Sequence, residues 1–423
     1  MFSNKAHIKR LTSNFFSLSI LQWVNYILPL ITFPYLVRVL GVELFGILAL
    51  ATALISYFNV IVDYGFNLTA VNEIATHSNN KKKVEQIYSI VITVKLLLTL
   101  VSFIILSLII SIFEIFSNNW EIYLLTFGVV IGQAIFPVWF FQGIEKMKYI
   151  AYINIFAKVI FTALILLFVE HEGDYHLVPT FISLGFIISG VLSIVLVRNK
   201  FGVRFSLQEF SNIKRALLEN WHIFISNIFV SLYTTTNILL LGIMTNNTIT
   251  GYYAIAEKII HAFGNILTPL SQAIYPLLSK KYFINKKYFF GFVKRLGLIY
   301  TAFSVVVVLI MYIYSDLIIT IVTGKADQHV IEIYFILMFT VMTIPLGPLF
   351  TQVLNIMKLK RSLSKISRDA FIFTIVFAPI SIYTYSTIGL AVVAVFAQIF
   401  IISLCINKIT TTKSKNNENI RKA

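Results

Sequence analysis

The sequence predicts an all-α polytopic membrane protein with twelve transmembrane helices in two pseudo-symmetric six-helix halves around a central cavity. The first observation behind this prediction is composition. Of the 423 residues, 58% are hydrophobic and only 12% are charged, with a mean hydropathy of +0.85. Soluble domains carry roughly 25% charged residues, so this composition is that of a membrane protein.

The second observation is a series of apolar segments of roughly 20 residues, each long enough for one helical crossing. The first follows MFSNKAHIKR and is too long for the core of a signal peptide, so we expect a retained span. Twelve segments can be placed, at 14–37, 43–63, 87–113, 121–142, 149–169, 177–197, 221–243, 252–278, 297–322, 331–354, 369–386 and 388–407.

The third observation is the distribution of basic residues. With the N-terminus inside, 29 of the 34 lysines and arginines fall in cytoplasmic segments, so we expect both termini in the cytoplasm. The net charge of +16 is therefore explained by orientation and attraction to anionic membrane lipids. We expect no nucleic-acid partner.

The longest loop, Arg198 to Asn220, predicts an amphipathic cytoplasmic helix between the two halves. The predicted division is 1–198 for the N-terminal half, 199–220 for the linker, 221–408 for the C-terminal half and 409–423 for a basic cytoplasmic tail. Loop 66–86 is similar in character and predicts a second interfacial helix.

Catalytic and cofactor motifs are missing from the sequence. No loop is long enough for a catalytic domain, and there is no glycine-rich phosphate loop, HExxH, CxxC or GxSxG. Cys405 is the single cysteine, which excludes a disulfide framework and a cysteine-based metal site. We therefore expect a protein that is not an enzyme and holds no cofactor or metal.

A short internal repeat supports two equivalent halves. Leu40-Gly41 followed by Gly46-ILALA recurs as Leu241-Gly242 followed by Gly251-YYAIA, with four extra residues in the second turn. Six spans per repeat would insert both halves the same way up, which relates span 7 to span 1.

Spans 1 and 7 each carry a polar face. Gln22 and Asn25 share one side of span 1, and Asn227 and Asn237 share one side of span 7 at helical spacing. Lipid would not tolerate such a face, so it needs protein or water opposite it. Two interpretations stay open: the faces line a transport pathway, or they form hydrogen bonds between packed helices.

Lysines inside the spans are the strongest functional signal. A lysine at the bilayer centre costs about 2.5 to 3.5 kcal/mol on insertion scales. Lys158 lies near the middle of span 5, which predicts a role facing the cavity. Lys95 in span 3 and Lys258 in span 8 are closer to span ends, where a flexible side chain can also reach the headgroups.

Few acidic or histidine residues lie within the predicted spans. Glu257 and His261 lie four residues apart on one face of span 8, with Lys258 beside them, which indicates a neutralised pair or a proton-linked element. Asp63 ends span 2, where a negative charge at a helix C-terminus is unfavourable. We expect Asp63 to pair with a basic loop residue or to gate the inner mouth.

Three segments of the sequence resemble a known family. NYILPLITFPYLVRVLG-x-E-x-FG begins at Asn25, DYGFNLTA at Asp63 and P-x-WFFQGIEKM at Pro137. Together they resemble Wzx-type O-antigen flippases, in the polysaccharide transporter branch of the multidrug and oligosaccharidyl-lipid exporter superfamily. The resemblance is close over the first 150 residues and rests mainly on the span and loop pattern thereafter.

The resemblance implies a substrate and a direction. Such proteins move an undecaprenyl-diphosphate-linked oligosaccharide from the cytoplasmic to the periplasmic leaflet of the bacterial inner membrane, for O-antigen or capsule assembly. The resemblance also implies a polysaccharide polymerase and a chain-length regulator as protein partners. Lys158, Lys95 and Arg38 would then meet the diphosphate, and Gln22, Asn25, Asn227 and Asn237 the sugars.

Coupling to a cation gradient would involve Glu257, Lys258, His261 or Asp63. Arg38 is placed at the outer mouth, where an arginine at a helix C-terminus is inexpensive. Two other classes of membrane protein would show different sequence features. A multidrug exporter on the same scaffold would favour acidic residues deep in the cavity. A polytopic glycosyltransferase, polymerase or ligase would need a large catalytic outer loop.

Overall fold

The computed structural model describes the backbone of residues 2–422 and the side chains of residues 20–412, except those at positions 273, 287 and 360. All regular structure over this range is helical, as the sequence predicts. The predicted start of span 1 at 14–19, with Lys5, Lys9 and Arg10 before it, lies outside the described side chains, as does the tail from residue 413.

The chain divides into two compact units, Met1–Ser231 and Leu232–Ala423. The boundary falls inside a helix, about ten residues after the predicted linker at 199–220. The first unit contains helices α1 Phe2–Asp63, α2 Phe66–Thr76, α3 Lys81–Ile112, α4 Glu114–Ser117, α5 Trp120–Ile135, α6 Val138–Gly143, α7 Lys148–Phe168, α8 Leu177–Phe201 and the first part of α9 Phe210–Met244.

The second unit takes the remainder of α9. Its other helices are α10 Asn247–Gly264, α11 Thr268–Ile284, α12 Lys286–Ile313, α13 Ser315–Thr323, α14 Gln328–Leu337, α15 Leu346–Ile356 and α16 Lys360–Lys422. Its buried residues include Tyr300, whose hydroxyl lies 3.0 Å from Ser271 Oγ, and Tyr334, whose hydroxyl donates to the Met311 carbonyl at 2.8 Å.

Nine helices in the described part of the chain are long and apolar enough to cross a membrane. Two of these, Ile20–Thr76 and Arg361–Thr412, contain 57 and 52 residues, far more than the roughly 20 that one crossing needs. Helix α1 contains a non-helical residue at Gly41 (φ 74°) and helix α16 one at Ser386 (φ 50°), and the segment Ile20–Thr76 also includes the turn between α1 and α2. The two non-helical residues lie where the sequence separates spans 1 and 2 and spans 11 and 12. Twelve crossings stay a prediction.

Prolines account for several other interruptions, because proline lacks an amide hydrogen and clashes with the preceding turn. Pro137 separates α5 from α6, and Pro345 is the residue before α15. The predicted spans 4 and 10 are therefore each divided. Predicted span 8 is also divided, between α10 and α11, with a 3-10 turn at Asn265–Leu267 and Pro269 in the first turn of α11.

The segment predicted as a separate linker helix is built differently. Helix α8 continues to Phe201, residues 202–209 are not helical, and α9 then runs without interruption from Phe210 into predicted span 7. No proline or glycine occurs between Phe210 and Leu241, so nothing in the sequence stops the helix there. A helix is present within the predicted loop 66–86, as α2, and its position at the membrane interface stays a prediction.

The tripeptide Trp139-Phe140-Phe141 forms the centre of the first unit's core. These side chains are at most 1% exposed and pack with Tyr88 of α3 and Phe201 of α8. One of the three motifs that carry the family resemblance therefore has a packing role. Large aromatic side chains contribute much of the buried area of such a core.

Gly65 forms the turn from α1 to α2 with φ +84°, and a Cβ there would lie 2.6 Å from Ile223 Cγ2. We expect Gly65→Ala to destabilise the protein by about 2 kcal/mol, from the left-handed backbone and from overpacking. The matched control is Gly297→Ala in α12, where a Cβ meets nothing within 4 Å. That change should stabilise the helix by about 0.5 to 1 kcal/mol. Thermal unfolding in detergent measures both, and equal midpoints would contradict the prediction.

Candidate functional site

The first unit joins two of the predicted site residues directly. Lys158 lies ten residues into α7, about 15 Å along the helix axis from Lys148. Its Nζ donates a hydrogen bond of 2.6 Å to Asn25 Oδ1 on α1. Both side chains are half-buried. The polar face of the first span is therefore opposite the deepest lysine of α7.

The charge of Lys158 is not neutralised by this contact. An amide oxygen accepts a hydrogen bond but carries no net charge. Within the described part of the chain, no carboxylate lies within 4.0 Å of Lys158 Nζ. A half-buried ammonium group with only a neutral partner favours the approach of an anion.

Lys95 is in a different electrostatic environment. Its Nζ lies 3.4 Å from Asp63 Oδ1, and the Lys95 side chain is 4% exposed and that of Asp63 24%. The partner of Asp63 is thus a lysine inside α3, and the expected pairing with a basic loop residue is wrong. The reason is geometric, because α1 ends at Asp63 beside Lys95, near the middle of α3, rather than beside a loop.

A cavity of about 160 Å³ surrounds this ion pair. Asn59 Oδ1, which lines the cavity, is buried and has no hydrogen-bond partner in the described structure. The amides that line this cavity are not among the predicted site residues, which were chosen in this region by their charge. The signal was present as isolated amide residues within apolar spans, namely Asn59, Gln133 and Asn154, with Asn67 at the start of α2.

The second unit contains a separate polar cavity of about 80 Å³. Three predicted site residues line it: Asn237, Glu257 and His261. Asn237 Nδ2 donates to the Tyr253 hydroxyl at 3.4 Å, while Asn237 Oδ1 is buried without a partner in the described residues. Helix α16 contributes Thr374 and Gln398, which the sequence did not single out.

Glu257 and His261 share this cavity but form no ion pair with each other within the described structure. Lys258, beside them in sequence, is exposed and does not line the cavity. The arrangement brings a carboxylate and an imidazole to one polar cavity. Their role in coupling stays a prediction.

The remaining predicted site residues are spread over α1 and α9. Gln22 is half-buried one turn before Asn25, and Arg38 is exposed three residues before the break at Gly41. Asn227 is half-buried and belongs to the first unit, whereas Asn237 belongs to the second. The polar face of α9 is therefore divided between the two units.

Comparison with known proteins identifies the family. Residues 11–281 match the family model described as "Polysaccharide biosynthesis protein". The chain is 29% identical to the "Putative O-antigen transporter" of Escherichia coli (strain K12) over 418 residues, covering 98% of this chain and 99% of that protein. It is 28% identical to the "Putative O-antigen transporter" of Shigella dysenteriae over 393 residues, covering 92% and 97%.

Solved structures share the fold at low sequence identity. The lipid II flippase MurJ in an inward closed conformation matches with a TM-score of 0.69 and 12% identity, covering 93% of this chain and 87% of that chain. An inward-facing multidrug resistance MATE family transporter of the MOP superfamily matches with a TM-score of 0.66 and 14% identity, covering 92% and 98%. By its sequence match over residues 11–281, the chain belongs to the family described as "Polysaccharide biosynthesis protein", in agreement with its resemblance to Wzx-type O-antigen flippases.

Proposed function

We propose that this protein flips undecaprenyl-diphosphate-linked O-antigen or capsular repeat units from the cytoplasmic to the periplasmic leaflet of the bacterial inner membrane. The names of the curated relatives support transport of an O-antigen, and the flippase among the structural relatives supports a lipid-linked cargo. The observation that carries the proposal is Lys158, a half-buried cation at mid-helix whose only hydrogen-bond partner in the described structure is the neutral Asn25.

The chemistry of the cargo fits these groups. A diphosphate that crosses hydrocarbon needs cationic groups along its route, and charge-assisted hydrogen bonds to phosphate are about twice as strong as neutral ones. Lys158 is the stronger candidate for this contact than Lys95, because Asp63 already compensates the charge of Lys95. Arg38 would meet the diphosphate near the end of its route.

Sugars require hydrogen-bonding groups rather than charge. The amides of Gln22, Asn25, Asn227 and Asn237 are the predicted sugar contacts, and the amides around the Asp63–Lys95 pair add to that set. The lipid tail can remain in the bilayer while the headgroup crosses. A polysaccharide polymerase and a chain-length regulator are the partners that this role would require after transport.

We further propose alternating access driven by a cation gradient. Glu257 and His261 in the cavity of the second unit, with the adjacent Lys258, and Asp63 in the first unit are the coupling candidates. Transport assayed in liposomes with and without an imposed gradient tests this part. Equal rates under both conditions would overturn the coupling while leaving the cargo unaffected.

Export of small multidrug-type molecules is the second candidate, because the fold is shared with a multidrug resistance MATE family transporter. This alternative predicts drug resistance in cells that express the protein and no change in lipid-linked sugars. The first proposal predicts the reverse.

Deleting the gene and analysing the membrane lipids tests the proposed function most directly. We expect an undecaprenyl-diphosphate oligosaccharide to accumulate on the inner leaflet, since flipping is the step that removes it. Reintroducing the wild-type gene should clear the accumulated lipid. Unchanged lipid-linked intermediates in the deletion strain would overturn the flippase assignment.

A further inference from the structure

The largest of the three cavities described here has no part in the proposed transport site. It has a volume of about 380 Å³ and lies in the first unit, where α2, the beginning of α3 and the beginning of α9 meet. Its walls combine apolar side chains with groups of both charge signs. The basic loops on either side of these helices place it at the cytoplasmic surface of the membrane under the predicted topology.

A buried acceptor in the wall of this cavity lacks a partner. Asn220 is 4% exposed, and its Nδ2 donates to the Ala216 carbonyl at 2.8 Å. Asn220 Oδ1 is buried and has no hydrogen-bond partner in the described structure, and the same is true of Thr69 Oγ1. Buried polar atoms are rarely left unsatisfied, so these atoms indicate a ligand that donates hydrogen bonds.

Two carboxylates and two cations also line the cavity: Glu73, Glu219, Lys83 and Arg215. Among the described residues, no ion pair of 4.0 Å or less joins them. The cations instead donate to neutral amides, Lys83 Nζ to Gln86 Oε1 at 3.1 Å and Arg215 Nη2 to Asn212 Oδ1 at 3.3 Å. Both signs of charge therefore stay available to a ligand.

The two carboxylates act on each other. Partial burial at the cavity rim, and then the Glu219 carboxylate, raise the pKa of Glu73 above its ordinary value, while Lys83, His77 and Arg215 lower it. The net shift is upward, and two carboxylates that repel each other without an ion pair of 4.0 Å or less in the described structure favour a bound cation. The ammonium group of a ligand would relieve this repulsion and supply the N–H donors that Asn220 Oδ1 lacks.

We propose that this cavity binds the phosphoethanolamine headgroup of a membrane phospholipid. The ammonium group contacts Glu73, Glu219 and Asn220 Oδ1, and the phosphate contacts Lys83 and Arg215. A headgroup that carries both charges matches a cavity that carries both. Neither phosphatidylglycerol, which has no ammonium group, nor phosphatidylcholine, which has no N–H donor, offers the same set of contacts.

The surroundings favour a lipid as the source of this headgroup over a soluble molecule. Helix α2 has 11 residues, too few to cross a bilayer, as expected for a helix at the interface. Leu68 and Leu218 adjoin cavity-lining residues in the sequence and are 59% and 65% exposed. Acyl chains can cover such apolar side chains while the headgroup occupies the cavity.

Native mass spectrometry of the delipidated full-length protein tests this proposal. The protein is offered phosphatidylethanolamine, its N,N-dimethyl derivative, phosphatidylcholine and phosphatidylglycerol at equal concentration. We expect phosphatidylethanolamine to be retained at least about tenfold over phosphatidylcholine, because phosphatidylcholine has lost all three N–H donors and even one lost hydrogen bond to a charged group costs about one decade in affinity. The dimethyl lipid, with one N–H left, should lie between them.

Variants of the cavity-lining residues distinguish lipid binding in this cavity from lipid binding elsewhere on the protein. Glu73→Gln combined with Glu219→Gln should abolish the preference for phosphatidylethanolamine, and Lys83→Gln should weaken retention of that lipid. The control is Glu209→Gln, which changes an exposed carboxylate immediately before α9 that does not line the cavity. Elution on size exclusion checks that each variant is folded.

Two results would overturn the proposal. Equal retention of all four lipids by the wild-type protein would show that the cavity does not recognise the headgroup. Retention of glycerophosphoethanolamine, the soluble headgroup, as strongly as the intact lipid would overturn the assignment to a membrane lipid. Both results are independent of whether the protein transports O-antigen units, because that activity is not measured.

Discussion

Replacing Lys158 with methionine should reduce flipping of the lipid-linked oligosaccharide by about one to two decades in rate. Methionine keeps the length and apolar stem of the side chain and removes the charge. A hydrogen bond to a charged group contributes about 1.5 to 3 kcal/mol, which corresponds to roughly 10-fold to 150-fold. The measurement is the fraction of lipid-linked oligosaccharide on each leaflet in cells that express the variant in the deletion background.

Two matched variants make the Lys158 result specific. Lys148→Met removes a lysine from the first turn of the same helix, where it contacts the Tyr149 ring, and should transport at the wild-type rate. Lys158→Arg retains the charge and should keep most of the activity. Wild-type transport by Lys158→Met, at equal expression, would show that the diphosphate is bound elsewhere.

Breaking the Asp63–Lys95 pair should mainly lower the stability of the protein. Lys95→Met leaves the Asp63 carboxylate without its partner. The Lys95 side chain is only 4% exposed, and breaking a buried ion pair costs about 3 to 5 kcal/mol. Asp63 retains 24% exposure, so solvent relieves part of this cost and about 3 kcal/mol is expected. Unfolding in detergent with increasing denaturant measures the difference in free energy.

The double variant Asp63→Asn with Lys95→Met provides the control for that pair. Removing both charges should recover most of the stability lost in Lys95→Met, since no buried charge is left uncompensated. If the double variant were less stable than either single variant, the two residues would not act as a compensating pair. Transport by the double variant then separates a structural role of the pair from the proposed coupling role of Asp63.

Much of the fold could be predicted from local sequence. Long apolar segments predicted helices, and the separation of spans 1 and 2 and of spans 11 and 12 agrees with breaks at Gly41 and Ser386. The breaks near Pro137 and Pro345 divide spans that hydropathy alone reads as continuous. Hydropathy averages over many residues, so it detects the membrane segment but misses a single interrupted turn.

The linker at 199–220 shows a different limit of local reasoning. Charge and amphipathic pattern marked this segment as distinct, yet α9 continues from Phe210 to Met244. A change from polar to apolar composition does not end a helix unless a residue breaks its hydrogen bonding. The compact units accordingly divide within α9, at Ser231 and Leu232.

By itself, the sequence determined that this is an all-helical, multi-pass membrane protein with cationic groups inside its spans, because hydrophobicity and charge are properties of residues. Tertiary structure alone decided which of those cations is compensated. Lys95 meets Asp63 on another helix, while Lys158 meets a neutral amide 133 positions away in the chain. Electrostatic compensation depends on distance through space, and packing of the helices sets that distance.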